Sequence, residues 1–174
     1  IVTSPLGASI AKKHGVQVGS TLTGFKFIGE QIALLLERKD ATYLFGYEES
    51  YGFLLSPICR DKDALQATTI ILEMALYYKN KGKTLKDVLE HIYDEYGYHY
   101  DKVESLSLKG SENLAKIQEI MKTLREKEIT SIADNKVATK EDYLTQVSVS
   151  ANGKKSPINL PVSNVLRFVF EDGS

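Results

Sequence analysis

Cysteine is almost absent from this chain, net charge is close to zero, and no long apolar run occurs; each shortage excludes something. The single cysteine, Cys59, rules out an internal disulfide and points to a reducing compartment, here the cytoplasm. A formal net charge of −1 provides no field that would gather nucleic acid or an anionic membrane. Apolar runs such as Ile70-Ile71-Leu72 fall far short of the roughly 20 residues that cross a bilayer. There is no basic segment followed by an apolar block, so no signal peptide is read. The chain opens on Ile1-Val2-Thr3-Ser4 without a methionine, as expected of a piece of a longer protein. No Gly-x-Ser-x-Gly elbow supports Ser-His-Asp chemistry. His14, His91 and His99 lack metal-site spacing and read as structural or solvated. Asp61 and Asp63 alone offer too few oxygens for a hard cation.

What remains is ordinary globular material. The 174 residues, 43% of them apolar, suit one domain or two small ones. The most informative stretch is Tyr43-Leu44-Phe45-Gly46-Tyr47-Glu48-Glu49-Ser50-Tyr51-Gly52-Phe53. An apolar run ends in glycine, two carboxylates and a hydroxyl follow, and a second glycine closes the turn. Buried strands end in this way when the following loop presents polar groups to a ligand. A carboxylate accepts from two neighbouring hydroxyls and a serine both donates and accepts, which suits a sugar. An acidic surface turn between a strand and a helix is the alternative on pattern alone.

Along the chain, Ala8 to His14 reads as a short helix, Val16 to Leu22 as an alternating strand, and Phe25 to about Lys39 as a helix with Ile28, Ile32 and Leu35 on one face. Ala41 to Phe45 reads as a further strand. The order implies an α/β fold with a mixed, largely parallel sheet layered with helices. Thr23, Glu48 and Ser50 then fall just past strand ends, where such sheets bind ligands. Asp63 with Gln66 is a helix-start signature. A helix follows from Ala64 to about Asn80, with Leu65, Thr69, Leu72 and Leu76 inward, and another from Thr84 to about Tyr96, striped by Leu85, Val88, Leu89 and Ile92. Gly97 marks a domain boundary, giving units 1–97 and 98–174. The second, an incomplete α+β unit, is expected to hold a strand over Tyr98–Leu108, a helix from Gly110-Ser111 to about Lys127 with Leu114, Ile117, Met121 and Leu124 inward, strands over Val137–Leu144 and Val165–Phe170, and a loop over Ser150–Pro161. With no hairpin partner after Asp172-Gly173, the last strand is expected to be an unpaired edge, disordered or paired with a second copy of the chain.

Gly46-Tyr47-Glu48-Glu49-Ser50-Tyr51-Gly52 resembles the sugar-recognition loop of the α-D-phosphohexomutases, the family of phosphoglucomutase and phosphomannomutase. Thr21-Leu22-Thr23-Gly24-Phe25-Lys26-Phe27-Ile28-Gly29 resembles the family's T-G-(aromatic)-K segment, and Arg60-Asp61-Lys62-Asp63-Ala64 its R-(acid)-K-D-G/A segment. The three occur in the family's order, and the resemblance is closest to the bacterial phosphoglucomutase branch. It implies the family's third domain over 1–97 and the start of the fourth over 98–174. It further implies a parent enzyme that interconverts glucose 1-phosphate and glucose 6-phosphate through a phosphoserine and glucose 1,6-bisphosphate, with Mg²⁺ held by another domain. The catalytic serine loop, the D-G-D-x-D-R metal loop and the fourth-domain phosphate loop do not occur in this sequence, so no catalytic or metal-binding residue is assigned here.

By the same resemblance, Glu48 and Ser50 grip the sugar hydroxyls, Lys62 and Thr23 bind ligand, Phe25 takes the family's aromatic or histidine position, and Lys26 and Arg60 are further contacts. Glu49 is expected to be structural, because neighbouring side chains on extended backbone point apart. Hexose phosphate and the other domains of the parent are the implied partners. A phosphomannomutase fragment and a non-catalytic carbohydrate-binding or interaction module are the alternatives.

Overall fold

A computed structural model describes residues 1–105 and 113–174. The chain divides into two compact units, Ile1–Val103 and Glu104–Ser174.

The first unit holds four helices and one hairpin: α1 (Leu6–Lys13), α2 (Phe25–Arg38), β1 (Gly46–Glu48), β2 (Gly52–Leu54), α3 (Ala64–Asn80) and α4 (Leu85–Tyr96). The helix ends follow local chemistry. Asp63 caps α3 by accepting from the Leu65 and Gln66 amides, and Thr84 with Asp87 forms a reciprocal capping box on α4. Lys39 ends α2 in a left-handed conformation. The core is small: Phe25 and Ile32 of α2 bury against Leu54 of β2, with Ile28, Tyr43 and Cys59 packed around them. The Tyr43 hydroxyl donates to the Leu54 carbonyl at 2.8 Å.

The α/β mixture is as the sequence implies, but the strands are not. Among the described residues the first unit's only ladder is β1–β2, and it is antiparallel. Val16 to Leu22 and Ala41 to Phe45 form no strand. Alternation makes a segment fit to be a strand; a partner edge is needed to make it one. On α2 Ile32 is buried and Ile28 and Leu35 are half-buried, whereas on α3 Leu65, Thr69, Leu72 and Leu76 are exposed. On α4, Val88 and Ile92 are half-buried and Leu85 and Leu89 are exposed.

The second unit contains α5 (Asn113–Glu126) and a five-stranded antiparallel sheet of β3 (Ser131–Ile132), β4 (Asn135–Asp142), β5 (Val147–Ser150), β6 (Lys155–Pro157) and β7 (Leu166–Phe170). Lys140 of β4 donates to the carbonyls of Leu124, Arg125 and Lys127 at 2.7–3.1 Å, holding the end of α5. Arg125 of that helix pairs with Asp142 at 3.1 Å.

Three expectations change here. The last strand is not unpaired: β7 runs antiparallel to β4, from Val137 opposite Phe170 to Asp142 opposite Leu166. A strand has two hydrogen-bonding edges, and β4 gives one to β7 and the other to β5. The segment read as a loop over Ser150–Pro161 contains β6, paired to β5 around a turn in which Gly153 has φ 79°. Tyr98 to Ser105 forms no strand. The rest of that expected strand and the Gly110-Ser111 helix start lie outside the described residues.

The loop after β2 comes close to α2 at Gly29. A Cβ on Gly29, inside α2, would stand 2.5 Å from the Arg60 carbonyl oxygen. Gly→Ala inside a helix ordinarily adds about 1 kcal/mol of stability. Overlap with backbone costs about 1–3 kcal/mol, so Gly29→Ala is expected to lower the urea midpoint, and a raised midpoint would refute the close approach.

Candidate functional site

The site is built on the β1–β2 hairpin. Glu48, the last residue of β1, lies opposite Gly52, the first of β2, and Glu49-Ser50-Tyr51 make the turn. Tyr51 takes the left-handed conformation, φ 60°, and its ring is almost wholly exposed. The turn brings Ser50 back over Glu48, and Ser50 Oγ donates to Glu48 Oε1 at 2.8 Å. Lys62 Nζ reaches the same oxygen at 2.6 Å from the far side of the β2–α3 loop. Glu48 is only 7% exposed, while the Lys62 side chain is 46% exposed.

Gly52 makes room for this contact. A Cβ there would lie 2.9 Å from Glu48 Cγ, Glu48 Oε1 and Lys62 Cδ alike. Both bonds to the carboxylate fall on Oε1, and none is formed to Oε2 among the described residues. Oε2 therefore keeps its capacity to accept. The Lys62 ammonium, aided by Ser50, holds the Glu48 carboxyl below its usual range against the opposing effect of burial. Glu48 in turn holds the Lys62 ammonium above its usual range.

The other expected site residues are distributed as follows. Arg60 is exposed and belongs to the same loop as Lys62, two residues before it. Thr23 and Lys26 are exposed at the start of α2, without a bond to Glu48, Ser50 or Lys62; the Lys26 ammonium lies 4.8 Å from the centre of the Phe27 ring. Phe25 is 4% exposed in the core, so its ring packs the start of α2 in place. Glu49 accepts from Thr3 Oγ1 at 3.2 Å, a structural tie. Two concavities, of about 290 and 260 Å³, lie elsewhere, one by Asp134, Phe170 and Glu171, the other by His14, Tyr78 and His91. Glu48 lines neither of them. Among the described residues no three His, Cys, Asp or Glu side chains are grouped to hold a metal ion.

Sequence reasoning missed Gln66 beyond its place at the helix start. Its carbonyl oxygen accepts from the Leu55 and Ser56 amides at 3.1 and 2.8 Å, and its amide donates to Asp63 Oδ2 at 2.8 Å. A glutamine three residues after a capping aspartate was the available signal.

Residues 1–96 match the family model described as Phosphoglucomutase/phosphomannomutase, alpha/beta/alpha domain III. The chain belongs to the phosphoglucomutase/phosphomannomutase family. It is 43% identical over 174 residues to phosphoglucomutase of Staphylococcus aureus strain bovine RF122 / ET3-1, and equally to that of strain USA300; strain MRSA252 gives 42%. Each alignment covers 99% of this chain and 31% of the relative, so the chain spans about a third of the length of these phosphoglucomutases. No solved structure matches it. The matched domain III carries the whole Glu48–Ser50–Lys62 cluster.

The depressed Glu48 carboxyl sets a sign. Its contribution to stability is complete above the ordinary value of 4.5 and is lost as pH falls through the lower folded value. The midpoint difference between the wild-type protein and Glu48→Gln is therefore expected to be largest near neutrality and to shrink in acid. A difference that grows on acidification would contradict the pairing.

Proposed function

We propose that this chain is the sugar-gripping part of a phosphoglucomutase whose full-length parent interconverts glucose 1-phosphate and glucose 6-phosphate. The observation that carries the reading is the Glu48 carboxylate, held through Oε1 by Ser50 and Lys62, with no bond to Oε2 among the described residues and an exposed serine beside it. In the parent, a phosphoserine would donate a phosphoryl group to give glucose 1,6-bisphosphate, and the reoriented intermediate would return the other phosphate. The serine and the Mg²⁺ that stabilises charge on the transferred group would come from other domains, since neither the serine loop nor the D-G-D-x-D-R metal loop occurs in this sequence.

The reaction demands a grip that works in two orientations related by roughly a half-turn. The 3- and 4-hydroxyls of glucose are adjacent and equatorial, and the half-turn roughly exchanges them. Glu48 Oε2 accepts from one. Ser50, whose proton is already given to Glu48, accepts from the other. The same pair of acceptors serves both orientations. Lys62 offsets the Glu48 charge toward the phosphate, and Arg60 on its loop supplies positive charge for it; Thr23 and Lys26 extend the contact from the start of α2, and Phe25 holds that start in place. Residues 98–174 would be the beginning of the fourth domain. A reduced Cys59 fits a cytoplasmic enzyme, and no described helix is long and apolar enough to cross a membrane.

In the full-length parent, Glu48→Ala is expected to lower kcat/KM for glucose 1-phosphate by roughly 100-fold or more, since the charged acceptor is lost in both half-reactions. Near-normal activity would end the assignment. Parallel rates with mannose 1-phosphate test the sugar, and a preference for mannose would make the parent a phosphomannomutase.

A further inference from the structure

Lys62 must arrive at Glu48 from a different segment, and little in its own surroundings holds it there. The Lys62 side chain is nearly half exposed, and the loop before it, from Leu55 to Asp61, has no strand or helix. What fixes the loop is a set of bonds centred on one side chain. Gln66, in the first turn of α3, uses its oxygen to accept the Leu55 and Ser56 amides just past β2, and its nitrogen to donate to Asp63. Asp63 caps α3 with Oδ1, and its own amide donates to the Phe53 carbonyl at 2.9 Å. Phe53 is the neighbour of Gly52, which faces Glu48 across the hairpin. The closed path therefore runs from β2 through Gln66 to Asp63, the residue next to Lys62.

We propose that Gln66 is a positioning residue for the sugar site, setting the reach of Lys62 to the Glu48 carboxylate by clamping the start of the β2–α3 loop to the first turn of α3. The role rests on the proposed reading of Glu48 and Lys62 as the grip. A glutamine is suited to it, because one planar amide offers an acceptor that two backbone N–H groups share and a donor for the capping carboxylate. Glutamate would keep the acceptor but set a second negative charge against Asp63. Leucine would keep the bulk and lose both functions.

The test uses the full-length enzyme with glucose 1-phosphate, comparing wild type, Gln66→Leu, Lys62→Met and the double variant, with Gln66→Glu as a second route should the leucine variant not fold. Gln66→Leu is expected to raise KM roughly five- to tenfold with a smaller change in kcat. Gln66→Glu is expected to raise it in the same sense. Because Gln66 acts through Lys62, its effect is expected to vanish in the Lys62→Met background. Additive effects, or a Gln66 variant with lowered melting temperature and unchanged KM, would make Gln66 a structural clamp only and overturn the inference while leaving the site intact. An unchanged KM in Lys62→Met alone would overturn the reading of the site, and the role of Gln66 with it.

Discussion

Everything informative in the first unit leads back to one shared oxygen, Glu48 Oε1, which takes Ser50 Oγ at 2.8 Å and Lys62 Nζ at 2.6 Å. An exposed lysine–carboxylate pair is ordinarily worth about 0–1 kcal/mol. This one is lopsided, with the acid buried and the lysine half in water. Its importance lies less in the attraction gained than in the cost avoided, because a buried carboxylate without a partner is expensive. The constraint spreads outward. Gly52 has no side chain to spare, since any Cβ would enter the space of both partners.

The hydrophobic core cannot enforce such a geometry by itself. It consists of Phe25, Ile32 and Leu54 with three partly buried neighbours, enough to hold α2 against the hairpin but not to orient a loop. Polar clamps do the rest. Gln66 and Asp63 tie the loop to α3, and the close approach of the Arg60 carbonyl to Gly29 seats it on α2. Directional hydrogen bonds specify position, where apolar contact specifies only proximity.

The candidate site residues stand in motifs that the sequence displays, whereas strand pairing depends on partners that no motif states. Glu48, Ser50 and Lys62 were singled out because their segments resemble family motifs that name residue types at fixed offsets. Phe25 shows the limit of that reading. The same T-G-aromatic-K pattern that marks a site position also opens a helix, and the ring faces the core. Strands fared worse, since alternation over Val16–Leu22 says nothing about whether another edge is there to pair with it. β6 escaped for the opposite reason. Pro157 and Asn152-Gly153 read as breakers, yet the latter make the turn that pairs β6 with β5. On α3 apolar periodicity names a stripe and cannot state what covers it, and Leu65, Thr69, Leu72 and Leu76 are all exposed.

The pairing also bears on how an acidic grip could serve a phosphorylated sugar at all. A bare carboxylate accepts sugar hydroxyls well and repels a phosphate. At an effective dielectric of about 20, two unit charges 4 Å apart repel by about 4 kcal/mol, several orders of magnitude in affinity. Under the proposed function, Lys62 on Oε1 leaves the Glu48–Lys62 pair without net charge toward the phosphate, while Oε2 keeps its capacity to accept. Ser50 adds a neutral acceptor alongside. Under the proposed function, the lysine therefore does two things with one contact: it pins the acid in place and cancels the field that the acid would otherwise set against its own substrate. A neutral amide in place of Glu48 would avoid the repulsion, but it would accept more weakly than an ionised oxygen. The ion pair keeps the stronger acceptor and removes its charge, which is a physical reason for a sugar phosphate site to hold a carboxylate and a lysine together.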